Sequence, residues 1–159
     1  MRERPPAFVA DAMLGSLARK LRVFGYDTVY FRDGPDSELE RLASDEGRIL
    51  LTSDRRLFAH AASKGLLAFL VQGSSERSRL ESVVEGAKRA SIRLDHGPTR
   101  CAYCNGELAL VRKAGVAGRI PKAVLAKHRV FYRCAGCDKF YWKGRQWSRL
   151  RRLSSVLLA

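Results

Sequence analysis

Residues 8–25 read FVADAMLGSLARKLRVFG, and this stretch combines an apolar run, an acidic residue and a helical pattern in direct succession. Phe8 to Ala10 form a short apolar run that ends at Asp11, as expected for a buried strand. From Leu14 to Phe24 apolar residues recur at three- and four-residue spacing, and Gly25 then terminates the helix. The stretch therefore predicts a strand followed by a helix, with a carboxylate at the carboxyl end of the strand.

The same pattern repeats three times before residue 91. Apolar runs at 28–31, 49–51 and 67–71 alternate with helical patterns that end near Gly47, near Gly65 and at Ala90. Strands that are apolar on both faces and alternate with helices indicate a parallel sheet sandwiched between helices. We therefore predict an α/β fold for the first part of the chain.

All four cysteines of the chain lie in two Cys-x-x-Cys pairs, Cys101 with Cys104 and Cys134 with Cys137. Thiolates at this spacing bind one tetrahedral ion, and two pairs complete the sulfur set of a structural zinc site. Two disulfides or four free thiols are the alternatives, but a disulfide within Cys-x-x-Cys is strained and no export signal is recognised. We therefore predict a small four-cysteine zinc ribbon.

Positive charge is concentrated in the second half of the chain. Residues 1–91 hold 15 Lys and Arg against 13 Asp and Glu, whereas residues 92–159 hold 15 against 3. Aromatic residues are interleaved with this charge, and such a field attracts polyanions, of which RNA and DNA are the abundant ones. A soluble basic surface, or a face that docks on the ribosome or on membrane lipid, is the alternative.

Two acidic residues, Asp11 and Asp54, follow strands of the predicted sheet. Ligands of parallel sheets bind beyond the carboxyl ends of the strands, and a divalent cation relieves the repulsion between carboxylates there. Asp33, Asp36 and Glu38 in the turn between them add hard oxygen donors, which select Mg²⁺ or Mn²⁺. Taken singly, Asp36 and Asp54 are also expected as helix caps and Asp33 as a turn residue.

Five stretches together resemble the Mut-seven C-terminal RNase domain family, in which a PIN-like ribonuclease domain is fused to a zinc ribbon. They are DAMLGSLARKLRVFGYDT (11–28), DGPDSEL (33–39), EGRILLTSDRRL (46–57), CAYCNGEL (101–108) and FYRCAGCDKFYWKGRQW (131–147). The resemblance implies a PIN-like three-layer α/β/α domain with a parallel sheet, followed by the ribbon.

The resemblance also implies which residues carry the chemistry. Asp11 matches the aspartate after the first strand, Asp36 the acid that begins the second helix, with Glu38 close by, and Asp54 the aspartate of the Thr-x-Asp signature. These four are the predicted catalytic residues, and Asp11, Asp36 and Asp54 are the predicted ligands of Mg²⁺ or Mn²⁺. The four cysteines match the ribbon ligands.

The chain departs from the family pattern at several positions. Arg55 and Arg56 follow Asp54 where generic PIN domains often carry another acid, which weakens the case for a full two-metal site. Gln146 stands where similar proteins commonly have His, and Arg79 stands where a glutamine is expected.

Ten basic residues are predicted to contact RNA phosphates. They are Arg19, Lys20 and Arg22 in the first helix, Arg55 and Arg56 after Asp54, and Lys113, Arg119, Lys122, Lys127 and Arg129 in the loop between the cysteine pairs. The first three are equally expected as an ordinary solvated helix face. The loop is expected to lack a fold of its own and to become ordered on RNA.

We divide the chain into a nuclease domain at 1–91, a linker at 92–100, and the zinc ribbon with its basic loop and a C-terminal helix at 101–159. The tail after Trp147 has apolar residues at helical spacing and is expected to pack back on the sheet domain or ribbon, with a partner-binding or membrane-touching helix as the alternative. No segment is long and apolar enough for a membrane span, so we expect no membrane association and a cytoplasmic location.

These features together predict a metal-dependent ribonuclease that hydrolyses phosphodiester bonds of RNA, with structured RNA such as tRNA or rRNA precursors preferred because the ribbon offers a second anchoring point. Metal ions would activate a water against the scissile phosphate. The alternative is a non-catalytic RNA- or ribosome-binding adaptor with a degenerate acidic site, which Arg55 and Arg56 favour. The sequence leaves open the RNA target, endo- or exonucleolytic action and the oligomeric state.

Overall fold

The computed structural model of the chain describes residues 4–158, which form one parallel and one antiparallel sheet. The first part contains β1 (Phe8–Ala10), α1 (Gly15–Val23), β2 (Thr28–Tyr30), α2 (Asp36–Glu46), β3 (Ile49–Thr52), α3 (Arg55–Ser63), β4 (Ala68–Leu70) and α4 (Glu76–Arg89). The second part contains β5 (Leu108–Val111), α5 (Lys113–Val116), α6 (Lys122–Lys127), β6 (Phe131–Cys134), β7 (Phe140–Trp142) and α7 (Arg145–Ser154). Short 3₁₀ turns lie at Ala12–Leu14 and Ser155–Leu158.

The first sheet has the strand order β2-β1-β3-β4, and every neighbouring pair is parallel. Its two inner strands are buried along their whole length, because helices cover both faces. We call the side where the strands begin the amino edge and the side where they end the carboxyl edge. All four strands therefore present their C-terminal residues to one edge of the domain.

Helices pack on both faces of this sheet and form three layers. On one face α1 and α4 contribute Leu17, Leu21, Leu80 and Val83 to a core that includes Phe8 of β1. On the other face α2 and α3 bury Leu39, Ala43, Leu57 and Ala61 against Val9 and Leu50. The predicted α/β class with a parallel sheet between helices is confirmed.

The second sheet is antiparallel, in the order β5-β6-β7, and we call residues 101–142 the ribbon module. Its loop between β5 and β6 forms α5 and α6, and Val116 and Ile120 from this loop are buried against Phe131. The expectation that the basic loop has no fold of its own is therefore wrong, because these apolar side chains give it a small core.

The C-terminal tail returns to the first domain. After α7, Val156 and Leu157 are buried in the same core as α1 and α4, with Leu150 and Leu153 packed against it. The predicted packing of the tail on the sheet domain is confirmed. None of the helices within residues 4–158 has the length and apolar character that a membrane crossing requires.

Residues 92–100, predicted as a linker, are fixed to the first domain. The Tyr26 hydroxyl donates to the carbonyl of Leu94 at 2.9 Å, and a ring nitrogen of His96 lies 2.9 Å from the carbonyl of Phe24. Gly25 has φ +93°, and a side chain there would lie 2.0 Å from the carbonyl oxygen of Gly97. Glycine at position 25 thus ends α1 and lets the later segment approach it.

Arg22 joins the first domain to the ribbon module at the amino edge. Its side chain is buried and donates to the carbonyl of Thr28 at 2.8 Å and to those of Ala102 and Tyr103 at 2.9 and 3.0 Å. The expectation that Arg22 contacts RNA phosphate is not met, because its side chain is buried and three hydrogen bonds hold it inside the molecule. Burial of a guanidinium is tolerated only with such partners.

A carboxylate beside this contact strengthens the same junction. Asp27 accepts from Arg48 at 2.8 Å and from the side-chain amide of Asn105 at 2.7 Å, and Asn105 accepts in turn from the Thr28 N–H. Burial opposes the ionisation of Asp27, but these hydrogen bonds hold the pKa of its carboxyl below the usual value. The ribbon module is thus held to the first domain by charged hydrogen bonds.

Replacement of Arg22 tests whether this junction stabilises the fold. Because one buried and two partly buried carbonyls lose a charged donor, we expect Arg22→Gln to lower the free energy of unfolding by about 2–3 kcal/mol. Arg19→Gln, on the exposed side of the same helix, is the matched control and should change it by less than about 0.5 kcal/mol. Urea unfolding measures both, and equal stabilities of the two variants would contradict the role of Arg22.

Candidate active site and metal centre

The carboxyl edge of the parallel sheet contains a topological switch point between β1 and β3. The chain leaves β1 through α1 to reach β2 on one side, whereas the chain from β3 continues through α3 to β4 on the other. A crevice opens where neighbouring connections diverge in this way, and ligands of open parallel sheets bind there. Asp11 directly follows β1, and Asp54 follows β3 by two residues.

The side chain of Thr52 connects these two aspartates. Its hydroxyl donates to Asp11 Oδ2 at 2.9 Å and accepts from the backbone N–H of Asp54 at 3.0 Å. Thr52 is fully buried, and both of its bonds are partly buried. The structure therefore brings Asp11 and Asp54, more than forty residues apart in sequence, to one place at the carboxyl edge.

Both aspartates also cap the elements that follow them. Asp11 Oδ1 accepts from the N–H of Ala12 at 2.6 Å, and Asp54 Oδ1 accepts from the N–H groups of Arg56 and Leu57 at 2.8 and 3.2 Å. The capping interpretation of Asp54 is thus confirmed, but it occupies one oxygen only. Within residues 4–158, no hydrogen bond reaches Asp54 Oδ2, which leaves that oxygen available to a ligand.

Asp36 and Glu38 lie in the first turn of α2, which the chain enters after β2. The cap of this helix is Pro35, and no side chain makes a capping hydrogen bond there, so the capping interpretation of Asp36 is wrong. Both carboxylates are exposed. Because β2 neighbours β1, the start of α2 lies beyond the same carboxyl edge as Asp11.

The packing of α2 against α3 fixes the position of that first turn. Glu40, one turn after Asp36, is buried and accepts from Lys64 at 2.5 Å, with a ring nitrogen of His60 also at 2.5 Å. The hydrogen bond from Lys64, together with His60, holds the pKa of the Glu40 carboxyl below its usual value although burial opposes its ionisation. Glu40 is therefore a positioning residue for α2, not a metal ligand.

The acidic residues supply only oxygen donors, which are the ligands that Mg²⁺ and Mn²⁺ prefer. By donor chemistry they fit a hard cation. Among residues 4–158, however, the four cysteines are the only group of three or more such side chains whose ligand atoms lie within 4.8 Å of one another. The acidic residues thus lie along one edge of the sheet, but their oxygens are more widely spaced than the cysteine sulfurs. These residues are Asp11, Asp36, Glu38 and Asp54.

Two arginines border the acidic residues. Arg55 and Arg56 occupy the first turn of α3 directly after Asp54, and both are exposed. Cations at a helix N-terminus are unfavourable, because the helix dipole is positive there. Two arginines at this position therefore bring stability costs that binding of an anionic ligand would offset.

The predicted basic residues of α1 differ in their surroundings. Arg19 is exposed, whereas the ammonium of Lys20 lies 2.7 Å from Glu76 and donates to the Ser16 hydroxyl at 2.7 Å. This pairing was not predictable from the sequence, because Glu76 lies in α4, more than fifty residues later. The five basic residues of the loop that are predicted to contact RNA are all exposed, namely Lys113, Arg119, Lys122, Lys127 and Arg129.

The four cysteine sulfurs form a compact cluster at the base of the ribbon module. Cys101 Sγ lies 3.6 Å from Cys137 Sγ, and Cys104 Sγ lies 3.3 Å from Cys134 Sγ. A tetrahedral ion with Zn–S bonds of 2.3 Å places its sulfurs about 3.8 Å apart, whereas a disulfide needs about 2.05 Å. The cluster is therefore suited to a metal such as zinc, and the disulfide alternative does not apply.

Backbone geometry shapes the two cysteine loops alike. Asn105 and Asp138, which follow the second cysteine of each pair, have φ of 69° and 66°. A side chain at Gly106 would lie 2.9 Å from the sulfur of Cys134, and one at Gly136 would lie 3.2 Å from that of Cys104. The two glycines thus let each loop approach the sulfurs of the cluster. The Cys-x-x-Cys spacing alone does not indicate this requirement for glycine.

Tyr141 is a further member of this centre that sequence reasoning missed. Its hydroxyl lies 2.9 Å from Cys101 Sγ. Burial opposes the ionisation of Cys101, but this hydrogen bond and those from backbone N–H groups lower the pKa of its thiol to about 7. A thiolate is the form that binds metal, so Tyr141 favours the ligating state of Cys101.

The family model of the Mut7-C RNAse domain matches residues 6–154 of the chain. Because the match covers nearly the whole sequence, the protein belongs to this family, and the resemblance found in the motifs is confirmed. Membership indicates a ribonuclease-type function with RNA as substrate. No curated protein and no solved structure matches the chain.

Substitution of Tyr141 tests the metal centre. We expect wild-type protein to bind one zinc ion and Tyr141→Phe to bind it about tenfold more weakly, because the thiolate of Cys101 loses a donor. Tyr132→Phe is the matched control, since Tyr132 pairs with Tyr141 across the strands. Competition with a chromophoric chelator measures the affinities. Equal affinities would contradict the role of Tyr141, and absence of bound zinc would contradict the site.

Proposed function

We propose that the protein is a metal-dependent ribonuclease that hydrolyses phosphodiester bonds of RNA at the carboxyl edge of its parallel sheet. The observation that carries the proposal is the Thr52 hydroxyl, which joins Asp11 and Asp54 at the switch point. Family membership supplies the reaction class, and the oxygen donors supply the chemistry of a Mg²⁺ or Mn²⁺ site.

Asp11, Asp36 and Asp54 are the proposed ligands of the cation, and Glu38 is a further catalytic candidate. When bound, Mg²⁺ or Mn²⁺ supplies an activated water and offsets the negative charge of the phosphodiester. Thr52 fixes the orientation of the Asp11 carboxylate, and the N–H groups of Arg56 and Leu57 fix that of Asp54. Preorganised carboxylates avoid the cost of ordering during the reaction.

Basic residues beside the acidic residues, on α1 and in the basic loop are proposed to bind the RNA. The proposed contacts are Arg55 and Arg56 beside Asp54, Arg19 and Lys20 on α1, and the exposed cations of the basic loop. Residues 92–159 hold 15 basic against 3 acidic side chains, so this part of the chain dominates the attraction of phosphates. Arg22 is not among these contacts, because it is buried.

The arrangement of the two modules favours a structured RNA as substrate. The first cysteine loop contacts Arg22 and Thr28 at the amino edge, whereas Asp11 and Asp54 lie at the carboxyl edge. An RNA that contacts both the ribbon module and the acids therefore extends across the sheet domain. Folded RNA such as tRNA or rRNA precursors presents phosphates over such a span, which supports this substrate class.

A second candidate function is a non-catalytic RNA- or ribosome-binding adaptor. It is favoured by Arg55 and Arg56 beside Asp54, and by the spread of the acidic side chains, which do not gather within 4.8 Å as the cysteines do. Incubation of purified, zinc-loaded protein with tRNA, rRNA fragments and single-stranded DNA separates the two functions. Cleavage that needs added Mg²⁺ or Mn²⁺ supports the nuclease, and salt-sensitive binding without cleavage supports the adaptor.

Neutralisation of the acidic residues tests the nuclease directly. We expect Asp11→Asn and Asp54→Asn each to lower the cleavage rate at least about a hundredfold, roughly 3 kcal/mol, and to leave RNA binding nearly unchanged. Asparagine retains the capping oxygen, although Asp11→Asn loses the bond from Thr52, so the melting temperatures of both variants are measured to confirm that they are folded. Asp45→Asn, an exposed position in α2, is the matched control. Undiminished cleavage by both variants, in protein free of contaminating nuclease, would overturn the proposal.

A further inference from the structure

A polar cavity of about 220 Å³ lies between the start of α1 and the start of α4. Its lining residues are Ser16, Leu17, Lys20, Ser74, Glu76 and Arg79. We propose that this cavity binds a phosphate group of the RNA strand next to the site of cleavage, an inference that rests on the proposed ribonuclease function.

The cavity opens at the same edge of the sheet as the acidic residues. Ser16 lies in the first turn of α1, just beyond Asp11 and the 3₁₀ turn that Asp11 caps. Ser74 follows β4, whose residue Leu70 pairs with Thr52 of β3. Both walls of the cavity therefore begin at the carboxyl edge, on the face covered by α1 and α4.

Cations outnumber carboxylates around this cavity. Lys20 and Arg79 line it, and Arg149 of α7 reaches its rim through a contact of 3.4 Å with Glu76. Glu76 is the single carboxylate of the lining, and Lys20 pairs with it at 2.7 Å. The two cations and one carboxylate of the lining give it a net charge of about +1, and Arg149 adds a further cation beside Glu76, so the surroundings attract an anion.

Arg79 is held in the lining of the cavity by a hydrogen bond of its own. Its Nε donates to the carbonyl of Gly73 at 3.2 Å, which fixes the plane of the guanidinium. Within residues 4–158, no hydrogen bond occupies its two terminal nitrogens, and these form the fork that binds phosphate oxygens in pairs. The hydroxyls of Ser16 and Ser74 add neutral donors in the same cavity.

The lining favours a phosphate over a base. A nucleobase is recognised mainly by stacking on aromatic side chains and by apolar walls, but among residues 4–158 the lining contains no aromatic side chain and Leu17 is its one apolar residue. Charged and hydroxyl groups make up the rest. The ligand chemistry is therefore that of a phosphate oxyanion, supplied by a nucleic acid backbone or by free phosphate.

This assignment gives the C-terminal tail a function in substrate binding. Val156 and Leu157 anchor the tail in the core of the first domain, which places Arg149 of α7 beside Glu76. A strand of RNA that passes Asp11 thus meets Lys20, Arg79 and Arg149 on the α1 and α4 side. The acidic edge and this cavity together define a path for the backbone.

The test measures RNA binding in a background that does not cleave. Asp54→Asn protein, zinc-loaded, is titrated with a fluorescent single-stranded RNA oligonucleotide, and anisotropy gives Kd at several salt concentrations. We expect Arg79→Gln to weaken binding about three- to tenfold and to reduce the slope of log K against log salt by about 0.7. Arg77→Gln is the matched control in the same helix, because Arg77 is exposed and paired with Glu81, and it should change Kd less than about twofold.

Glu76→Gln separates ligand binding from a purely structural ion pair. Removal of a negative charge beside a bound phosphate should tighten RNA binding severalfold. A structural pair alone predicts weaker or unchanged binding together with a lower melting temperature, and that result would overturn the proposal. Equal Kd values and salt slopes for Arg79→Gln and Arg77→Gln would overturn it as well.

Inorganic phosphate distinguishes the source of the anion. Millimolar phosphate should compete only weakly with the oligonucleotide, because the basic loop and the arginines beside Asp54 contribute to the binding of RNA but not to that of free phosphate. Strong competition by phosphate, with an unchanged salt slope in Arg79→Gln, would assign the cavity to a free anion and contradict the proposal. These binding results are independent of whether Asp11→Asn and Asp54→Asn lose cleavage, so a failure of this inference and a failure of the nuclease proposal give different outcomes.

Discussion

The buried hydroxyl of Thr52 makes the two hydrogen bonds on which the arrangement of Asp11 and Asp54 depends. A hydroxyl has one proton, and because Asp54 presents an N–H to Thr52, that proton goes to the Asp11 carboxylate. One side chain therefore sets the positions of two acidic residues from different strands. The parallel sheet makes this contact available, since β1 and β3 end side by side and their connections diverge at that point.

The amino edge and the carboxyl edge of the sheet have different roles. At the amino edge, buried Arg22 and the Asp27 carboxylate hold the ribbon module by charged hydrogen bonds. At the carboxyl edge, the acidic residues remain accessible and are bordered by cations. The tail closes the structure, because Val156 and Leu157 return to the core of the first domain after the chain has left the ribbon module. The cysteine cluster thus stabilises the ribbon module at the amino edge, whereas the proposed catalytic residues lie at the carboxyl edge.

Local patterns in the sequence were sufficient for the α/β class, the cysteine cluster and the placement of Asp11 and Asp54. These features depend on periodicity and spacing, which a single chain displays directly. The prediction that Arg22 contacts RNA was wrong because two of its partners are backbone carbonyls about eighty residues away. Every residue has a carbonyl, so the sequence does not indicate which ones an arginine will contact. The core of the basic loop was missed for a similar reason, since Val116 is buried only by contact with Phe131 of a later strand.

Anomalous scattering from crystals of zinc-loaded protein soaked in Mn²⁺, recorded at wavelengths that separate the two metals, would locate both metal sites. We expect a manganese peak within coordination distance of Asp11 and of Asp36 or Asp54, distinct from a zinc peak among the four cysteines. A zinc peak at the cysteines with no manganese beside these aspartates would contradict this expectation.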